Sequence, residues 1–198
     1  AIALAHGGVR VMWGAICPIV FGERRWKALS DAKQYEIRLA FNCALNGILA
    51  PALVYPALTS TPPLNPNGLY ATVFPRHEGS VLGCAASVGY LLYDFLAMLS
   101  NYTVSMKANG VVAYNLYLWH HALSVAFWPV AVLHNSFVFF VNWFVASEAS
   151  SAFLAARGAM LSLGTINTPL GMVVQFGFVL SYFMSRIYVM PNLVKSIY

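Results

Sequence analysis

Asp94, His120, His121 and Glu148 are titratable side chains set in stretches that are otherwise almost wholly apolar. A carboxylate beside an imidazole is a minimal proton-moving device, the acid orienting the ring and the ring acting as general base. The same pair is a minimal device for gripping a polar group in a dry place, because either charge buried alone is costly. Tyr90 precedes Asp94 by four residues, so on a helix the two share a face and the hydroxyl can hold the carboxylate or join it on a ligand. His120 and His121 are adjacent and point about 100° apart on a helix. They do not offer one metal the two ligands that an i, i+4 pair does. No HxxxH or HxxHH cluster occurs, and Cys17, Cys43 and Cys84 share no CxxC or CxH spacing. These cysteines read as small core residues, and no metal or cofactor is expected.

Those residues need rigid elements to bring them together, and the composition says which. The chain has 198 residues, of which 60% are hydrophobic and 9% charged, with a mean hydropathy of +0.67. A soluble domain carries about 25% charged residues, so this is the composition of an integral membrane protein and not of a water-soluble enzyme. The apolar runs are long and continuous, unlike the alternating stretches of about 10 residues in a membrane β-barrel. The net charge is +5, but the basic residues form no interleaved basic and aromatic surface, so nucleic acid is not an expected partner.

The expected fold is all-α, a single transmembrane domain over residues 1–198 with about six helices and a central cavity. The spans read as 1–21, 36–58, 81–106, 111–133, 136–157 and 166–190, each near the length of about 20 residues that a bilayer requires. Pro51 and Pro56 are expected to bend or end the second, and Pro191 to stop the last. The connector ERRWKALSDAKQYEIR (23–38) is expected at the interface, with Trp26 and Tyr35 among headgroups. Ser30 and Asp31 supply an N-cap for the helix that follows. Residues 59–80, rich in proline and turn formers, read as an exposed loop. The chain begins at Ala1 and not Met, so an N-terminal segment is expected to be missing, and Arg10 and Pro18 argue that the first apolar run is a span and not a signal peptide.

With six spans, Arg24, Arg25, Lys27, Lys33, Arg38, Lys107 and Arg157 share one side, and Arg76, Arg186 and Lys195 the other. The positive-inside rule places the first group in the cytosol, matrix or stroma, with both termini across the membrane. The membrane itself reads as organellar (mitochondrial inner membrane or plastid) or endoplasmic reticulum.

Asp94, the two histidines and Glu148 fall near the middle of three spans, where a charge costs about 2.5–3.5 kcal/mol on insertion scales and normally faces the bundle interior. They either line a shared cavity for a polar lipid group or satisfy one another as interhelical pairs. Arg157 and Arg186 lie near helix ends, where they snorkel to the interface or pair with Glu148. Glu148 and Arg157 are about 13 Å apart along a helix, so any contact must cross between spans. His6, His77 and His134, near ends or loops, read as solvated or interfacial.

Several segments, in order, resemble the TLC-domain family: VGYLLYDFLAML (88–99), LWHH (118–121), ASEASSAFLAAR (146–157) and FMSRIYVMP (183–191), preceded by W-x-x-L-S at 26–30 and by Arg38. The resemblance is clearest over 20–191. It implies a six-helix membrane bundle around a central cavity, with Tyr90, Asp94, His120, His121, Glu148 and Arg157 matching inward-facing, lipid-binding positions. The family includes ceramide synthases, which carry a His-Asp and a further Asp about 27 residues after the paired histidines. This chain has Ser147, Glu148 and Ser151 there, and Asn42, Ala44 or Asn46 where a second-span histidine is common. The departures make it look like the smaller, non-synthase members. The implied function is lipid binding or handling, alone or as a subunit that meets other membrane proteins through its helix faces and the 23–38 connector. An acyl-CoA-dependent N-acyltransferase using His120 or His121 with Asp94 or Glu148, and a purely structural scaffold, are the alternatives.

Overall fold

The computed structural model of the chain describes residues 2–60 and 77–191. Within them the helices are α1 (Ile2–Phe21), α2 (Glu23–Lys27), α3 (Asp31–Ser60), α4 (Glu78–Ser100), α5 (Tyr102–Asn109), α6 (Val111–Leu133), α7 (Val138–Ser147), α8 (Ala149–Ser162) and α9 (Pro169–Tyr182). A π-helical turn, Phe183–Tyr188, continues α9. Six spans among the described residues are long and apolar enough to cross a membrane, α7 and α8 together forming the fifth. The 16 residues 61–76, most of the expected proline-rich loop, and Arg76 and Lys195 lie outside the described residues.

Helix α3 is the centre of the bundle, packed by α1, α4, α7 and α8. Small residues permit that crowding. A Cβ on Gly47 would lie 2.7 Å from the Ala152 backbone nitrogen and 2.8 Å from the Glu148 carbonyl oxygen. On Gly83 it would lie 2.9 Å from Val54 Cβ, so α3 meets α8 and α4 almost backbone to backbone. The main apolar core sits between these helices and α6, around Ala50, Val54, Tyr90, Leu91, Trp128 and Val145.

Several expected boundaries move. Pro51 and Pro56 lie inside α3, which runs on to Ser60. The third span stops at Ser100, and the expected turn before α6 is mostly helix α5. The fifth span continues through Gly158 to Ser162, where a connector was expected. Helix α3 begins at Asp31, with the Lys33 amide 3.5 Å from Ser30 Oγ, so the connector is short and Arg38 belongs to the span. Trp26 and Tyr35, expected among headgroups, are buried against protein, at 4% and 6% exposure. Trp26 packs with Cys17 and Ile37, and Tyr35 donates to the Ala97 carbonyl at 3.2 Å. Aromatic rings with polar tips serve an interface or a helix seam equally, and only tertiary packing decides between them. His77 caps α4 by accepting the Gly79 amide at 3.0 Å.

Two glycine substitutions test this packing in opposite directions. Gly47→Ala is expected to lower stability by about 1–3 kcal/mol through overpacking. Gly158, with nothing within 4 Å of an added Cβ, gains helix propensity on Gly158→Ala, up to about 1 kcal/mol. Thermal unfolding in detergent should move down for the first and up for the second. Equal shifts would contradict the close α3–α8 contact.

Candidate intramembrane polar site

Helix α6 buries one face, Tyr114, His121, Ser124, Trp128 and Val132, against α4 and its neighbours. His121 Nε2 lies 3.1 Å from Asp94 Oδ2, and the two residues are 6% and 8% exposed. On the other side of the ring, Nδ1 contacts the Tyr117 carbonyl one turn earlier. A carbonyl only accepts, so Nδ1 carries a hydrogen. The remaining nitrogen belongs to Asp94, and wherever the shared proton sits, neither nitrogen of His121 is free. His120, about 100° around the helix, is exposed with its ring 5.5 Å from that of His121.

Glu148 stands at the junction of α7 and α8, 5% exposed. The sequence SEASS explains the break. Ser147 Oγ donates to the Phe144 carbonyl at 2.7 Å and Ser150 Oγ to the Ser147 carbonyl at 2.9 Å. Such back-bonding competes with the backbone ladder and bends helices. Glu148 Oε2 accepts from Ser151 Oγ at 3.0 Å, and Oε1 lies 3.4 Å from Arg186 Nη2. Arg186 Nε reaches Ser150 Oγ at 3.3 Å. The arginine projects from the π-helical turn, a geometry that recurs at functional sites.

The kink also directs the helices. Helix α7 packs on α3, α4 and α6, whereas α8 turns away to α3 and α9. Helix α9 packs mainly on α8. His120 is exposed on α6, and the charges of Glu148 and Arg186 act on its ring. Arg186 itself remains partly accessible, its side chain 32% exposed.

The sequence-selected residues separate into those brought together and those left out. Asp94 pairs with His121, Glu148 holds Arg186, and His120 stands beside both sets. Tyr90 is buried, but its hydroxyl interacts with Cys43 and makes no hydrogen bond to Asp94. Arg157 forms no ion pair among the described residues, and Arg186 takes the carboxylate instead. Only a helix end carrying Arg186, arriving from another span, could reach Glu148 laterally. Asp94 and Glu148 each face a basic partner, His121 and Arg186. An apolar cavity of about 760 Å³ lies at the α6–α7 corner, lined by Phe127, Trp128, His134, Phe137, Phe140 and Phe144 among others, and by none of the six.

His6, expected to be solvated or interfacial, is buried at 5% exposure. Its ring lies 5.5 Å from that of Tyr90 and 6.0 Å from that of Tyr93. Its carbonyl accepts from Asn42 Nδ2 at 3.2 Å, so the asparagine in the second span ties α1 to α3. The available signal was the depth of His6 and Asn42 within apolar helices. Among the described residues no cluster of three or more His, Cys, Asp or Glu is placed to hold a metal ion.

Fold and site together define a six-span helical membrane protein with acids, imidazoles and an arginine meeting inside the bundle. The TLC-domain family model matches residues 9–198, and the chain belongs to that family. No curated protein and no solved structure matches it.

Breaking the buried pair from one side should be worse than removing it whole. Asp94→Ala is expected to cost about 3–5 kcal/mol by leaving His121 without its partner. Adding His121→Ala should restore part of that loss, a coupling visible in a double-mutant cycle of thermal stability. Strict additivity would show that the two side chains do not interact.

Proposed function

We propose that this chain binds a membrane lipid beside His120 on α6 and the π-helical turn that continues α9, with the lipid's polar group against His120 and Arg186 and Glu148 behind them. The observation that carries this reading is the division of the polar layer into satisfied and accessible parts. Asp94 and His121 saturate each other, while His120 and part of Arg186 stay open. A polar residue kept accessible at membrane depth is maintained against a cost, and a polar ligand offsets it. Both helices offer apolar surface to acyl chains: Leu116, Trp119 and Leu123 on α6, and Phe176, Val179 and Leu180 on α9, are exposed.

Acyl transfer needs a general base with a free nitrogen. His121 offers none, so that alternative would rest on His120 alone, without a carboxylate bonded to it. Holding a lipid requires no such base and fits the residues better.

The test is native mass spectrometry of the chain extracted gently from its membrane. Wild type is expected to carry lipid adducts, and His120→Ala combined with Arg186→Gln to reduce their occupancy several-fold, with Lys107→Gln, an exposed site on α5, unchanged. Equal occupancy in all three would remove the proposed site. Acyl-CoA turnover abolished by His120→Ala would replace binding with catalysis.

A further inference from the structure

We propose a second polar site, at the α1–α3 seam, in which Arg10 and Arg38 bind a phosphate group. Both arginines lie inside spans. Arg10 is the ninth residue of the 20-residue α1, about 16 Å along the helix from Phe21, and Arg38 lies about 10 Å into α3. Both are partly buried.

The contacts place the two guanidinium groups on one seam. Arg38 packs against α1, its Cζ 4.0 Å from where a Cβ on Gly14 would stand. Arg10 is one turn from Gly14 on the same face of α1. Its Cζ lies 5.1 Å from the ring centre of Tyr35, three residues from Arg38 on α3.

Neither cation has a carboxylate. The chain holds six acidic residues, and all lie among the described residues. Glu23 pairs with Lys27, Asp94 with His121 and Glu148 with Arg186. Glu36 accepts from Ser162, while Asp31 and Glu78 are exposed in the first turns of α3 and α4. Arg38 Nη2 finds only the neutral Gln34 Oε1, at 3.2 Å, and the Trp26 ring, 5.5 Å away. Its Nε is buried without a hydrogen-bond partner. Arg10 has the Tyr35 ring and the Tyr93 hydroxyl, a buried neutral group that interacts with Arg10 and Asn42. Aromatic faces and amides ease two cations without neutralising them.

What remains is a partly buried donor set of two guanidinium forks beside a phenol, with no acidic side chain paired to either fork. Guanidinium forks match the oxygens of a phosphate, which accepts from both at once. The seam is next to the basic stretch Arg24, Arg25 and Lys27, which favours the approach of an anion from that side. The phosphate comes either from a phospholipid in that leaflet or from a soluble phosphate ester. This site shares no residue with the lipid site at His120, so each stands or falls alone.

The experiment uses the full chain in neutral detergent, with dioleoyl phosphatidic acid, dioleoyl phosphatidylcholine and glycerol 3-phosphate as probes. Readouts are adduct occupancy in native mass spectrometry and the shift in melting temperature. Wild type is expected to retain phosphatidic acid and to be stabilised by it. Arg10→Gln with Arg38→Gln should lower its affinity at least tenfold, with Lys107→Gln unchanged. Binding of glycerol 3-phosphate without phosphatidic acid, lost in the same double variant, supports the site and assigns a soluble source. Should the glutamine variant not fold, Arg10→Lys with Arg38→Lys carries the test. It keeps both charges but loses the forks, so affinity must fall several-fold. Absence of binding by every probe, or binding unchanged in the variants, overturns the proposal.

Discussion

An ionised side chain in hydrocarbon must find its counter-charge inside the protein, and that constraint organises the middle of this bundle. Asp94 on α4 and His121 on α6 meet at 3.1 Å, and their contact fixes how far α6 can rotate or slide along α4. Most of the remaining buried face of α6 is apolar or aromatic and specifies no register as strongly. The polar pair contributes specificity through the cost of misalignment, the best-attested role of buried polar groups in helical assemblies.

The second pairing works on shape. Glu148 occupies a serine-rich break between α7 and α8, and Arg186 reaches it from a π-helical turn. Both partners stand where the α-helical ladder is interrupted, and the interruption aims each side chain across the gap. The same break turns α8 away from α6. One short sequence, SEASS, thereby sets the kink and places an acid. Helix α9, held mainly through α8, buries only Gly171 among its residues.

The sequence was legible where residues had few alternatives. Six long apolar runs permitted only helices, and the mid-span acids Asp94 and Glu148 are buried because hydrocarbon offers a charge no other place. Both histidines were read as inward-facing, but the 100° between them leaves His120 exposed while His121 is buried. Partnerships were illegible: Arg157 is nearer to Glu148 along the chain, yet three-dimensional packing selects Arg186. Trp26, Tyr35 and His6 were read as interfacial and are buried against other helices, because amphipathic side chains suit a headgroup layer or a helix seam equally well. Pro51 and Pro56 could bend or end the second span, and both lie within α3.

The central claim is that Asp94 and His121 occupy each other fully while His120 does not share in that contact. Nitrogen-15 magnetic resonance of imidazole-labelled chain in lipid nanodiscs measures this directly, with histidine variants assigning the signals. The account predicts that His121 keeps a hydrogen-bonded proton on Nδ1 and a strong Nε2 hydrogen bond that vanishes in Asp94→Asn, whereas the His120 resonances do not respond to that substitution. A His121 ring in free exchange between tautomers, indifferent to residue 94, would contradict it.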